Sequence, residues 1–122
     1  MLTPLAYGLA VVLDLFIAFI GARFLLAPQI AAAGYGVPAQ SGDSAYLAVK
    51  GVRDLSLGIM GLALLAFAGA RPEAWFMLAA ALIPLGDMLI VLRHGGTKAV
   101  AFGIHLVTAV VVLISAVLLF AA

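Results

Sequence analysis

No cysteine occurs among the 122 residues, which excludes disulfides, thiolate nucleophiles and thiolate metal sites. Charge is nearly as scarce. Asp, Glu, Lys and Arg make up 9% of the chain, against about a quarter in an ordinary soluble domain. The formal net charge is only +1, with no basic stripe to neutralise phosphates, so no nucleic-acid partner is expected. The N-terminal stretch Met1-Leu2-Thr3-Pro4-Leu5-Ala6-Tyr7 has no lysine or arginine. A cleavable signal needs such a basic start, and the apolar run behind it outlasts a signal core. That run is expected to remain as a transmembrane helix. Phosphate-binding glycine loops, nucleophile elbows and zinc-type His-Glu spacings are missing too.

What the chain does have is hydrocarbon. Hydrophobic residues make up 67% of it, and the mean hydropathy is +1.33. So few polar residues cannot cover a globular surface, which implies an integral membrane protein. Four apolar runs each reach the ~20 helical residues needed to cross a bilayer. They cover roughly 4–26, 45–68, 73–93 and 99–120, and make residues 1–122 a single membrane domain. The only long connection, Pro28 to Ser44, reads as a loop from its glycines and prolines, with Asp43 or Ser44 as the next N-cap. Pro72 is placed near the first position of the third helix, and Pro84 kinks that helix by freeing the carbonyl of Ala80. Short turns make the later helices antiparallel neighbours. The expected fold is all-α: an up-down bundle of four transmembrane helices.

Arg23, Lys50, Arg53, Arg93 and Lys98 fall on one side and Arg71 alone on the other. The positive-inside rule makes the first side cytoplasmic, with both termini outside a cell inner membrane.

The polar residues inside these runs carry whatever chemistry exists. An ionised side chain within a bilayer costs roughly 2.5–3.5 kcal/mol on insertion scales, so it is paired or faces a cavity. Counting about 1.5 Å per residue puts Arg53, Asp54, Asp87 and His105 at nearly one level on three helices, with Asp14 nearer mid-membrane. His105, Thr108, Val112 and Ser115 share one helical stripe, and Asp54, Gly58 and Gly61 share another. Lys50, one turn before Asp54, is spaced to pair with it, but its depth reads mainly as an orientation signal. Arg23 is near the interface and within snorkelling reach of the headgroups.

On this reading Arg53 binds an anionic group and Asp54 orients it, with Thr108 and Arg23 also in contact with the ligand. Asp87, His105 and Asp14 are the candidate acid/base residues. Each has a plainer role open to it: a register-fixing ion pair for Arg53-Asp54, a neutralising partner for Asp87, a satisfied core histidine for His105. Asp14 in that case bonds to Tyr7 or Thr108. Tyr35 reads as a loop residue able to lid the pocket. The outer half of the bundle reads as dry, with almost nothing polar beyond Ser115. Bis-histidine haem would need His94 and His105 at similar depth on facing helices, which their spacing denies. Arg53 beside Asp54, Asp87 and His105 opposes a metal cation, so no metal or cofactor is expected.

Several local patterns together resemble a known family: Ala22-Arg23-Phe24-Leu25-Leu26-Ala27-Pro28, Gly34-Tyr35-Gly36-Val37-Pro38, Lys50-Gly51-Val52-Arg53-Asp54-Leu55 with Gly58, Ile83-Pro84-Leu85-Gly86-Asp87 and Leu92-Arg93-His94-Gly95-Gly96. The family is one of small four-helix membrane proteins catalogued as a domain of unknown function. More distantly the chain is similar to DoxX-like membrane proteins. The resemblance implies the four-helix fold and no activity.

Three functions compete. A polar pocket near the cytoplasmic side would bind a lipophilic or amphipathic small molecule, anionic at one end. Such a pocket suits isomerisation, cyclisation or cofactor-free oxygenation. An accessory subunit with an ion-paired core, or a small oligomeric transporter, would also use buried charges. The dry outer half counts against transport, which needs access from both sides. Membrane lipids surround the chain in each case, and a homodimer through the Gly58/Gly61 face is compatible with all three.

Overall fold

The computed structural model describes residues 2–39 and 41–122. It is all-helical: α1 (Leu2–Leu26), α2 (Pro28–Tyr35), a 3-10 turn (Ser41–Asp43), α3 (Ser44–Phe67), α4 (Ala70–Ala80), α5 (Leu82–Arg93), α6 (Lys98–Val100), a π-helical segment (Ala101–Leu106) and α7 (Val107–Ala121). Among the described residues, three stretches are long and apolar enough to cross a membrane: Leu2–Leu26, Ala70–Arg93 and Lys98–Ala121. The expected second span, Ser44–Phe67, is as long but holds Lys50, Arg53 and Asp54 in its first half and is not among them. Large apolar side chains such as Leu5, Val12, Phe19, Leu82, Val110 and Val117 point outward, as a lipid-facing surface requires.

The long connection is not all loop. Ala27, at φ −142° and ψ 66°, breaks the helix where Pro28 disfavours an α conformation in the residue before it. Pro28 then opens α2 at its first position, where its missing N–H costs nothing. Gly36, at φ +100°, ends α2 in a Schellman turn: Val37 N donates to Ala32 O and Gly36 N to Ala33 O, both at 3.2 Å. Gly95 (φ +77°) ends α5 the same way, with Gly96 N donating to Val91 O at 2.8 Å. The two turns pack together. A Cβ on Gly96 would lie 2.9 Å from the Gly36 carbonyl, and one on Gly36 would lie 2.7 Å from Val100 Cγ1. Gln40, in the same connection, lies outside the described residues. Asp43 does stand at the N-cap of α3.

α1 and α3 pack antiparallel along most of their length, with backbone against backbone. A Cβ on Gly21 would come within 2.6 Å of the Gly51 carbonyl, and one on Gly58 within 2.5 Å of the Asp14 carbonyl. The Gly58/Gly61 face, which is compatible with a homodimer on the sequence alone, packs within the chain against α1. Small residues do the same for the rest of the bundle. Ala6, Ala10, Ala74, Ala81 and Ala116 form one apolar core with Leu65, Met77, Val112 and Leu119. A second cluster of Phe24, Ala31 and Ala32 seats α2. Close approach through small side chains is how helices attract one another in lipid, where burial gives no hydrophobic drive.

The α4–α5 rod breaks at Ala81, between Ala80 and Leu82. Pro84 has no N–H to offer the Ala80 carbonyl, so the rod bends where the ring position requires it. The helix begins at Ala70, three residues earlier than expected, which moves Pro72 to its third position, still within the first turn.

Candidate functional site

Tyr35 is the hub of the polar site. The Schellman turn places it at the end of α2, over the bundle. Its hydroxyl donates to Asp87 Oδ2 of α5, and its carbonyl is 2.7 Å from His105 Nε2 in the π-helical segment. A carbonyl only accepts, so His105 Nε2 carries a hydrogen, which in the neutral ring leaves Nδ1 as the basic nitrogen. The Tyr35 ring lies 4.4 Å from the His105 ring and edge-on to Phe24 of α1 at 5.5 Å. Lys50 Nζ of α3 sits 4.4 Å over the Tyr35 ring and 4.6 Å over Phe24. Every long element of the bundle's charged end thus converges on one tyrosine. Burial, and next the Asp87 carboxylate, push the Tyr35 phenol above its usual range. The phenol therefore stays a neutral donor.

Beside this network is a cavity of about 250 Å³. Its walls are mostly apolar, from Leu13, Ile17, Met77, Pro84 and Val112 among others, and its polar groups are Asp14, Arg23, Tyr35, Asp87, His105 and Thr108. Among its lining residues Phe16, Phe19 and Ile104 are partly exposed on the outside of the bundle. α1 and α5 scarcely touch each other. Residues of both helices line the cavity. The π-helical turn, a feature frequent at functional sites, brings His105 inward to 3% exposure. Thr97 caps its approach by accepting from Val100 N at 3.2 Å.

The structure brings Asp14, Asp87, His105, Thr108 and Arg23 to one cavity. Asp87 and His105 do not bond to each other directly; Tyr35 links them. Thr108 has its hydroxyl on the Ile104 carbonyl at 2.7 Å. Arg53 does not join them. It is exposed on the outer face of α3 and takes no part in the cavity wall. Asp54 is buried but also outside the lining, and its partner is Lys50, at 2.6 Å, in place of Arg53. The physical reason is helical phase. Adjacent residues are about 100° apart around a helix, so Asp54 turned inward with Gly51, Gly58 and Gly61 leaves Arg53 facing out.

Two participants have a larger part than the sequence reading gives them, Tyr35 being read there as a loop residue able to lid the pocket. Tyr35 was hidden by its flanking glycines, which read as loop, although a proline at the start and a glycine just past the end are the marks of a short helix. Glu73, expected at the very start of the third helix, is fully buried within α4. Its carboxyl lies close enough to that of Asp14 for the two to interact.

A family model described as a domain of unknown function, DUF4267, matches residues 15–119. The chain belongs to this family. No curated protein and no solved structure matches it. The matched stretch contains every residue of the Tyr35 network and of the cavity lining except Leu13 and Asp14 of α1.

Proposed function

We propose that the chain is a four-span membrane protein whose bundle takes a lipophilic or amphipathic small molecule from the bilayer into the cavity beside Tyr35. α3 supplies the fourth span. It runs antiparallel to span-length α1, contacting it from Gly51 against Gly21 to Gly61 against Asp14, so it traverses the same thickness. The resulting up-down bundle is the arrangement of DoxX-like proteins. The side carrying Arg23, Lys50, Arg53, Arg93 and Lys98 faces the cytoplasm and both termini face out, in a cell inner membrane.

The observation that carries this reading is the cavity itself: apolar walls with a few convergent polar groups, lined by α1 and α5 where the two helices scarcely touch. That is the character of a small-molecule site. The groups on its wall suit proton transfer. Asp87 is the base, the neutral Tyr35 phenol is the donor that orients it, and His105 offers Nδ1. A reaction that only moves protons within a lipophilic substrate, such as an isomerisation, needs nothing more from the chain.

Mass spectrometry of extracts from the purified protein tests this. Wild type is expected to carry a stoichiometric lipophilic compound, and Asp87→Asn, with unchanged helix content, to carry several-fold less. Equal retention by both proteins would remove Asp87 from the site, and an empty wild type would remove the ligand.

A further inference from the structure

One end of the cavity holds a group that the Tyr35 network does not use. Asp14 lines the wall at 1% exposure, and its Oδ2 has no hydrogen-bond partner. Glu73, just outside the lining, is fully buried beside it, and neither of its oxygens makes a well-formed hydrogen bond. Gly61 of α3 closes the other side, since a Cβ there would collide with the Asp14 carboxylate.

Two carboxyls buried near each other inside an apolar bundle are stabilised by a proton or a cation between them. Among the described residues, no side chain brings a cation to them. Lys50 makes its ion pair with Asp54. Arg71 lies over the Phe120 ring at 5.7 Å, and Arg53, Arg93 and Lys98 are exposed. Arg23 reaches the cavity, but it stands nine residues along α1 from Asp14, roughly 13 Å away. His105 has Nε2 committed to the Tyr35 carbonyl. The deep end of the cavity therefore either keeps a proton on this pair or takes a positive charge from a molecule that enters the cavity.

We propose that Asp14, backed by Glu73, receives a positively charged nitrogen, so that the cavity's ligand is a lipophilic amine. The ammonium donates to the open Asp14 oxygen, and its hydrocarbon lies between the apolar walls. A charge-assisted bond in a water-poor site is stronger than a neutral one, and here it also supplies a counter-charge. The assignment rests on the cavity being a ligand site, and it reverses the charge preference that an inward Arg53 would have set.

The test uses octylamine, octanol and octanoate as probes of matched chain length. Binding of each to the intact protein in detergent micelles is read by native mass spectrometry. Wild type is expected to bind octylamine about tenfold or more tighter than octanol, and octanoate least. Asp14→Asn is expected to erase the preference for the amine while keeping octanol binding, and Glu73→Gln to weaken it. The wild-type ranking stands on its own if either variant fails to fold. Equal binding of all three probes would overturn the amine assignment and leave the cavity intact as a ligand site. A preference that survives in both variants would overturn the role of Asp14 and Glu73. Failure of every probe to bind would overturn the cavity reading together with this one.

Discussion

Lys50→Met is expected to destabilise the protein by about 1–3 kcal/mol, the cost of leaving the buried Asp54 carboxylate without its partner, since Lys50 itself is only half-buried. Asp54 is 6% exposed and its partner is Lys50 Nζ, at 2.6 Å. The same ammonium lies over the Tyr35 and Phe24 rings, so its loss also loosens the seat of Tyr35. Methionine keeps the length and apolar stem of the side chain, which isolates the charge as the cause. Arg53→Gln provides the contrast, three residues further along the same helix. Arg53 is exposed, and its replacement is expected to change stability by less than about 0.5 kcal/mol. Unfolding in detergent micelles, followed by circular dichroism, measures both. A larger effect at Arg53 than at Lys50 would mean that α3 is rotated from the orientation described here.

Gly58→Leu is expected to be worse tolerated than any other replacement on the α1–α3 interface except at Gly21 and Gly61. A Cβ on Gly58 would lie 2.5 Å from the Asp14 carbonyl and 2.7 Å from the Ala18 Cβ. Backbone cannot rotate out of the way as a side-chain tip can, so the two helices must separate. Overpacking a tight core costs typically ~1–3 kcal/mol and occasionally more, and this site combines a bulky side chain with a backbone obstacle. The separation also shifts Asp14 away from the cavity wall. The expected result is loss of monomeric folded protein on gel filtration in detergent. Gly8→Leu, whose added Cβ would meet nothing within 4 Å, is expected to behave as wild type.

The helices were legible because lipid leaves little choice. Long apolar runs, Pro28 and Pro84 mark where rods begin, end and bend, and the breaks fall at Ala27 and Ala81. The level shared by Asp87 and His105 was legible from rise per residue alone. Their connection was not, because it passes through Tyr35, and the position of Tyr35 depends on two glycine turns packing together. Arg53 shows the difference between depth and phase. Counting along the helix gives the depth of Arg53 and Asp54 together, but only one of two adjacent residues can follow the Asp54–Gly58–Gly61 stripe into the bundle. That stripe and the Lys50–Asp54 spacing were both readable, and together they already exclude Arg53. Glu73 was hidden for another reason. It stands at the expected start of the third helix, just after Arg71 and Pro72 of what looks like a polar turn, and only the fold reveals that α4 starts early enough to bury it.

The central claim is that a lipophilic molecule occupies the space between α1 and α5, and photo-crosslinking tests it most directly. A membrane-soluble diazirine probe, activated on the protein in bilayers and mapped by peptide mass spectrometry, is expected to label Ile17, Ile20, Ile83 and Thr108 on the cavity wall. This labelling should fall when an excess of the co-purified compound competes. Labelling confined to outward residues such as Val12, Leu82 and Val117, with no competition at the wall, would show that nothing enters the bundle and would contradict the account.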